Sequence, residues 1–161
     1  MIRRATVADA RGIAEVHTRT WQTAYRHAFP DELLDGLDVD EREEGWRQHV
    51  VDPEAAVFVA DEDGVVGFVA VGPSRDPDCD GELYGIYVAP EVWGKGAGPA
   101  LMEAGLNHLR SKFSEAILWV LEDNPRARRF YEKHGWALDG TTKRGEHLGV
   151  ETAEVRYRIR L

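Results

Sequence analysis

Cysteine is nearly missing from this chain: Cys79 is the only one among 161 residues. A single thiol excludes an internal disulfide and any cysteine-cluster metal site. Long apolar runs are missing too, since no uninterrupted stretch approaches the ~20 residues that cross a bilayer as a helix, so no membrane partner is expected. Met1–Thr6 places Arg3 and Arg4 with no apolar stretch behind them, so the expectation is no secretory leader and a cytoplasmic protein. Cations are in deficit. Twenty Lys and Arg against 29 Asp and Glu leave a formal net charge of −9, the wrong sign for a general nucleic-acid binder. The six histidines, at 17, 27, 49, 108, 134 and 147, show no zinc-ligand spacing, and no metal is expected.

What is present has the profile of a soluble globular chain, 43% hydrophobic and 30% charged. Its length suits one domain, 1–161, large enough to bury roughly two thirds of its unfolded surface. The charge is uneven. Asp31 to Asp63 holds thirteen acidic residues and two basic ones, Arg42 and Arg47. Asn124 to His134 holds four basic residues, Arg126, Arg128, Arg129 and Lys133, against Glu132 alone. Such runs form solvated faces, or they turn one side toward a cation and another toward an anion.

Periodicity places the elements. Ile2–Ala5 reads as a short strand. Thr6 and Asp9 form a variant capping box ahead of a helix carrying Ile13, Val16, Thr20 and Trp21. Leu33, Leu34 and Leu37 suggest a short helix after Pro30, and Arg42–Val50 a further helical piece. Ala56–Ala60 and Val65–Val71 flank the Asp61–Gly64 turn as a hairpin, and Glu82–Val88 alternates as a strand. A glycine turn at 94–98 opens a helix with Leu101, Met102, Leu106 and Leu109 on one side. Ala116–Leu121 is a strand. Asn124-Pro125 starts a helix that Gly135 ends, and Trp136–Leu138 and Thr152–Ile159 close the sheet. The order β-α-α-β-β-β-α-β-α-β-β predicts a mixed α/β (α+β) sheet with helices on its faces.

Strand, glycine-rich turn and helix in succession make an anion site from exposed N–H groups and a positive helix end. Gly94-Lys95 is followed by Gly96, which excludes a Walker A loop; the third glycine of a dinucleotide fingerprint would fall at Pro99, which excludes that motif. Trp93–Gly98 instead resembles the acyl-CoA-binding motif Gln/Arg-x-x-Gly-x-Gly/Ala of the GNAT (GCN5-related N-acetyltransferase) superfamily. Gly96 and Gly98 match its small positions, and Trp93 stands where Gln or Arg is usual. Leu118–Trp136 is similar to the second block of that family: Asn124, seven residues to Tyr131, then Glu-x-x-Gly-aromatic.

The resemblance implies a mostly antiparallel sheet of six to seven strands with a splayed central pair, and acetyl-CoA as the donor. The backbone of Ile86, Tyr87 and Val88 would pair with the pantetheine, and Trp93, Gly94, Lys95, Gly96, Ala97 and Gly98 would surround the pyrophosphate. Asn124 would touch the pantetheine. One of Arg126, Arg128 or Arg129 would meet another phosphate, with Arg128 counted among the cofactor contacts. Tyr131 would be the acid beside the sulfur, and Val88 N–H the oxyanion donor. Glu82, six residues before Val88, stands where some members carry a glutamate base. A base has work to do, because an amine titrating near 10.4 is only about one part in a few thousand neutral at pH 7. The first two helices would line the acceptor side. Trp21 and Tyr25, with Tyr84 and Glu82, are its candidate contacts, although i, i+4 aromatics also suit plain core packing. Aromatics beside the acidic stretch suggest a small-molecule cationic amine as partner, such as a polyamine or an aminoglycoside, and Thr20–Arg26 with Pro30 and Trp46 is similar to a small-molecule branch that includes polyamine acetyltransferases. A peptide N-terminus or lysine, or a non-catalytic acyl-CoA-binding module, is the alternative, and the chain is expected to be a monomer or homodimer.

Overall fold

A computed structural model describes residues 1–161. Seven strands form one sheet in the order β1-β2-β3-β4-β5-β7-β6. They are β1 (Ile2–Arg4), β2 (Ala56–Asp61), β3 (Val65–Pro73), β4 (Gly81–Val88), β5 (Glu115–Leu121), β6 (Ala137–His147) and β7 (Val150–Arg160). Every neighbouring pair is antiparallel except β4 and β5. The helices are α1 (Ala10–Ala24), α2 (Asp31–Asp35), α3 (Val39–Val50), α4 (Ala97–Arg110) and α5 (Pro125–Lys133). No helix is long and apolar enough to cross a membrane.

Alternation along the central strands builds a core on each side of the sheet. On one side Phe68 and Ala70 of β3 and Val57 and Val59 of β2 pack with Ile13 and Val16 of α1. On the other, Val69 and Val71 of β3 and Leu118 of β5 pack with Leu101, Met102, Leu106 and Leu109 of α4. Residues one apart on β3 thus serve opposite cores, and a one-residue slip would empty both.

The entry to α1 is tied as its capping signal suggests. Asp9 accepts from Thr6 N at 2.8 Å and receives a two-pronged contact from Arg3, Nη1 and Nη2 both at 2.8 Å. The second half of the sheet departs from the sequence reading. β6 and β7 are a long hairpin, paired from Ala137–Arg158 to His147–Val150, where only 136–138 and 152–159 were expected as strands. β6 is an edge strand, mostly exposed and polar, so it lacks the apolar alternation that marks a half-buried strand. Its turn is Leu148-Gly149, both at positive φ (53° and 76°), a two-residue connection without the usual Asn-Gly signature.

His17 of α1 sits against Trp46 of α3, Phe68 of β3 and Tyr87 of β4. Its Nδ1 accepts from Arg42 Nη1 at 2.9 Å and faces Trp46 Nε1 at 3.4 Å. Burial, then the Arg42 charge, pushes the imidazole down to about 3. A folded-state value below the unfolded 6.5 means the neutral ring stabilises the fold fully above pH 6.5, and that contribution is lost as pH falls toward 3. Denaturant melts between pH 7 and 5 should show the wild type losing up to about 1.4 kcal/mol per pH unit below 6.5 from this site, a slope that His17→Gln removes.

Candidate active site

The site begins where the sheet fails. β4 and β5 pair only at Gly81–Ala116 and Glu82–Ile117. Immediately beyond, Val71 of β3 pairs with Leu83 and Ala70 with Gly85, leaving Tyr84 as the extra residue of a bulge. A bulge bends and twists its strand, and here it carries the rest of β4 away from β5. A cavity of about 700 Å³ occupies the gap, lined by Leu83–Val88 on one side and Trp119–Leu121 on the other. The edge of β4 facing it has no strand partner, so an extended amide chain can complete its hydrogen bonds there.

The cavity continues to the start of α4. Gly94 and Gly96 have φ of +78° and +93°, conformations that a side chain would strain, and Gly96 is the helix N-cap. A Cβ on either would meet nothing within 4 Å, so the space over this turn is open. Gly98, in the first helical turn, backs onto Phe130 of α5, which a Cβ would approach to 3.2 Å. Trp93 Nε1 donates to the Val88 carbonyl at 2.7 Å, fastening the turn to β4. Arg126 of α5 stacks its guanidinium 3.6 Å over the Trp93 ring. The indole that replaces the usual polar residue therefore holds a cation over the glycine turn.

Between these two parts lie the aromatic hydroxyls. Tyr131 of α5 is 7% exposed. Burial, and next the proximity of Tyr87, raises its phenol well above the ordinary range, so it keeps its proton at neutral pH. Tyr25, just past α1, is raised in the same direction by burial first and then by Tyr87 and Tyr131. Asn124 caps α5 by accepting from Ala127 N at 3.2 Å and donates Nδ2 to the Tyr25 hydroxyl at 3.1 Å. Trp21 lies 4.5 Å from Tyr25 between ring centroids. Trp21, Tyr25, Tyr84 and Asn124 all line the cavity.

The sequence pattern of the Acetyltransferase (GNAT) family matches residues 13–136. The chain belongs to the GNAT family of acetyltransferases. An uncharacterized N-acetyltransferase of Bacillus subtilis, YuaI, is 40% identical over 129 residues, 77% of this chain and 73% of that protein. An uncharacterized N-acetyltransferase of Mycobacterium tuberculosis is 32% identical over 139 residues, 84% of this chain and 87% of its own. The crystal structure of the PaiA N-acetyltransferase from Thermoplasma acidophilum, in complex with coenzyme A, superposes with a TM-score of 0.81 at 19% identity, covering 100% of this chain and 98% of that one. At that identity the likeness concerns the fold. This GNAT chain is an acetyl-CoA-dependent N-acetyltransferase, and its residues fit the donor: the unpaired β4 edge suits the pantetheine amides, and the open glycine turn with Arg126 suits the phosphates.

Three expectations need correction. Arg128 does not line the cavity; it donates to the Tyr157 hydroxyl at 3.1 Å and the Glu122 carbonyl at 3.0 Å, and of Arg126, Arg128 and Arg129 only Arg126 lines it. Lys95 is exposed on the glycine turn. Glu82 is not on the cavity wall: its side chain is 1% exposed and accepts from Arg75 N at 3.0 Å and from the Arg75 guanidinium. That contact anchors the β3–β4 loop, and a carboxylate so engaged has no oxygen left to face an amine. The acidic stretch also lies elsewhere. None of its carboxylates lines the cavity; Asp31 and Asp35 pair with Arg26, and Asp40 and Glu43 with Arg11.

In their place the far wall is built from Trp119 of β5, Lys143 and His147 of β6, and Glu154 of β7. These were missed because β6 was not read as a strand, and only its pairing sets Lys143 opposite Glu154. Arg156 of β7, 4% exposed, locks the nearby loop with Nη1 on Asp76 at 3.1 Å and Nη2 on Asp78 at 2.7 Å, while its Nε meets Asp139 at 2.7 Å. Arg126→Ala should raise the KM for acetyl-CoA about tenfold, the loss of one charge-assisted contact of roughly 1.4 kcal/mol. Arg128→Ala should leave that KM in place and lower the melting temperature instead. Steady-state kinetics with calorimetry on both variants checks the assignment.

Proposed function

We propose that this enzyme transfers an acetyl group from acetyl-CoA to the primary amine of a small molecule, by direct attack within a ternary complex. The observation that carries the reading is the splayed β4 edge, which leads without interruption into the glycine turn and has Tyr131 in the gap. When bound, the donor supplies an activated thioester. The chain supplies the rest. The β4 edge and the glycine turn orient the donor, and the Val88 N–H is the proposed partner for the carbonyl oxygen. Tyr131, held protonated by burial, is poised to donate to a departing thiolate. The aromatic wall of Trp21, Tyr25 and Tyr84 excludes water from the reacting amine.

Enclosure supports a small acceptor. Charge supports one with a single ammonium group, because Glu154 is the one carboxylate on the cavity wall and Lys143 stands on the same wall. Repeated positive charge, as in a polyamine, finds no matching row of carboxylates.

Thiol release from acetyl-CoA against monoamines, amino acids, spermidine, spermine, aminoglycosides and lysine peptides tests the reading. Turnover is expected with small monoamines. Turnover confined to peptides or polyamines overturns the acceptor class, and stabilisation by acetyl-CoA without turnover on any amine overturns the enzymatic reading. Tyr131→Phe should lower kcat on the order of 100-fold with acetyl-CoA affinity nearly unchanged. An unchanged kcat removes Tyr131 as the acid.

A further inference from the structure

With Glu82 sealed against Arg75, nothing described so far receives the proton of the acceptor. The far wall of the cavity carries a pair suited to it. Glu154 has a side chain 10% exposed, with His147 Nε2 3.6 Å from its Oε1 and Lys143 as its cross-strand partner. His147 opens to the cavity on its other side, where its ring lies 5.8 Å from Trp21. The pair lines the same cavity as Tyr25 and Tyr131. Tyr25, whose phenol is raised chiefly by burial and by Tyr87 and Tyr131, is raised further by the charge of Glu154.

We propose that His147 is the general base for the acceptor amine, and that Glu154 is the positioning residue that orients its imidazole and stabilises the imidazolium. The inference rests on the transferase reading above. Glu154 lies on the Nε2 side of the ring, where its charge favours a proton, and this leaves the Nδ1 lone pair for the substrate. The ammonium N–H bond breaks and an Nδ1–H bond forms. The amine lone pair then forms the new N–C bond as the C–S bond breaks; the second proton of the nitrogen replaces the one Tyr131 gives the thiolate, and the imidazolium returns its proton to water through the exposed part of the ring. Imidazole suits the task better than a lone carboxylate, since its ordinary titration lies closer to that of an amine. The charged and titratable groups around His147 are Glu154 on β7, Lys143 two pleats back on β6, and the Tyr25 hydroxyl at the end of α1. On the Trp21 side, Arg42 of α3 lies over the indole, 5.9 Å from its centroid.

Two measurements test this. On an acceptor that the wild type turns over, kcat/KM should level off above neutral pH. His147→Gln should be at least about 100-fold slower at pH 7, with the deficit shrinking as pH rises, because solvent then supplies the neutral amine. A deficit equal at all pH values, or none, overturns the assignment. The second readout needs no turnover. In 15N NMR spectra of the neutral imidazole, Glu154→Gln should move the His147 tautomer balance away from Nε2–H. An unmoved tautomer balance overturns the pair even if no acceptor is found, whereas a wild type inactive on every amine with the balance moved speaks against the transferase reading alone.

Discussion

Everything at this site follows from two rungs of hydrogen bonding. β4 and β5 meet at Gly81–Ala116 and Glu82–Ile117 and nowhere else, so a sheet that is otherwise continuous has a wedge cut into its middle. A wedge of that kind is unfavourable by itself, because it strips backbone groups of their partners. It persists because its narrow end is braced. The Tyr84 bulge turns β4 aside, Glu82 and Arg75 pin the loop behind it, and Arg156 draws Asp76 and Asp78 of the same loop onto β7. At the wide end, Asn124 and Tyr25 tie α5 to the end of α1 across the opening.

Charge is used in this frame in two distinct ways. Most of the engaged arginines are structural: Arg75, Arg128, Arg156 and Arg158 all close loops or strand ends on carboxylates, carbonyls or a phenol. Arg126 differs in having only an aromatic ring beneath it and no carboxylate partner. A cation held by stacking keeps its N–H groups unspent, which is what distinguishes a binding arginine from a bracing one.

Legibility in the sequence tracked local signal. The glycine turn, the α4 and α5 faces, the Asn124 cap and the strand preceding the turn were readable because each is encoded within a dozen residues. The far wall was not. Lys143, His147 and Glu154 become neighbours only through cross-strand pairing of a polar edge hairpin with an unusual turn. The role expected of Glu82 failed for a related reason: its spacing from Val88 was right for a base, but the partner that removes it from the cavity, Arg75, lies in a loop whose course no periodicity reveals. The acidic stretch misled because thirteen carboxylates in sequence say nothing of which arginines they meet in space.

The wedge also divides the molecule mechanically. β1 to β4 with α1, α3 and α4 form one jaw, and β5 to β7 with α5 the other, joined by two backbone rungs, by the Arg156 and Asn124 ties, and by the core that α4 shares with β5. The glycine turn belongs to the first jaw and Arg126 to the second, meeting across the gap at Trp93. A donor held by both therefore adds one more tie across the wedge, beside those the side chains already make.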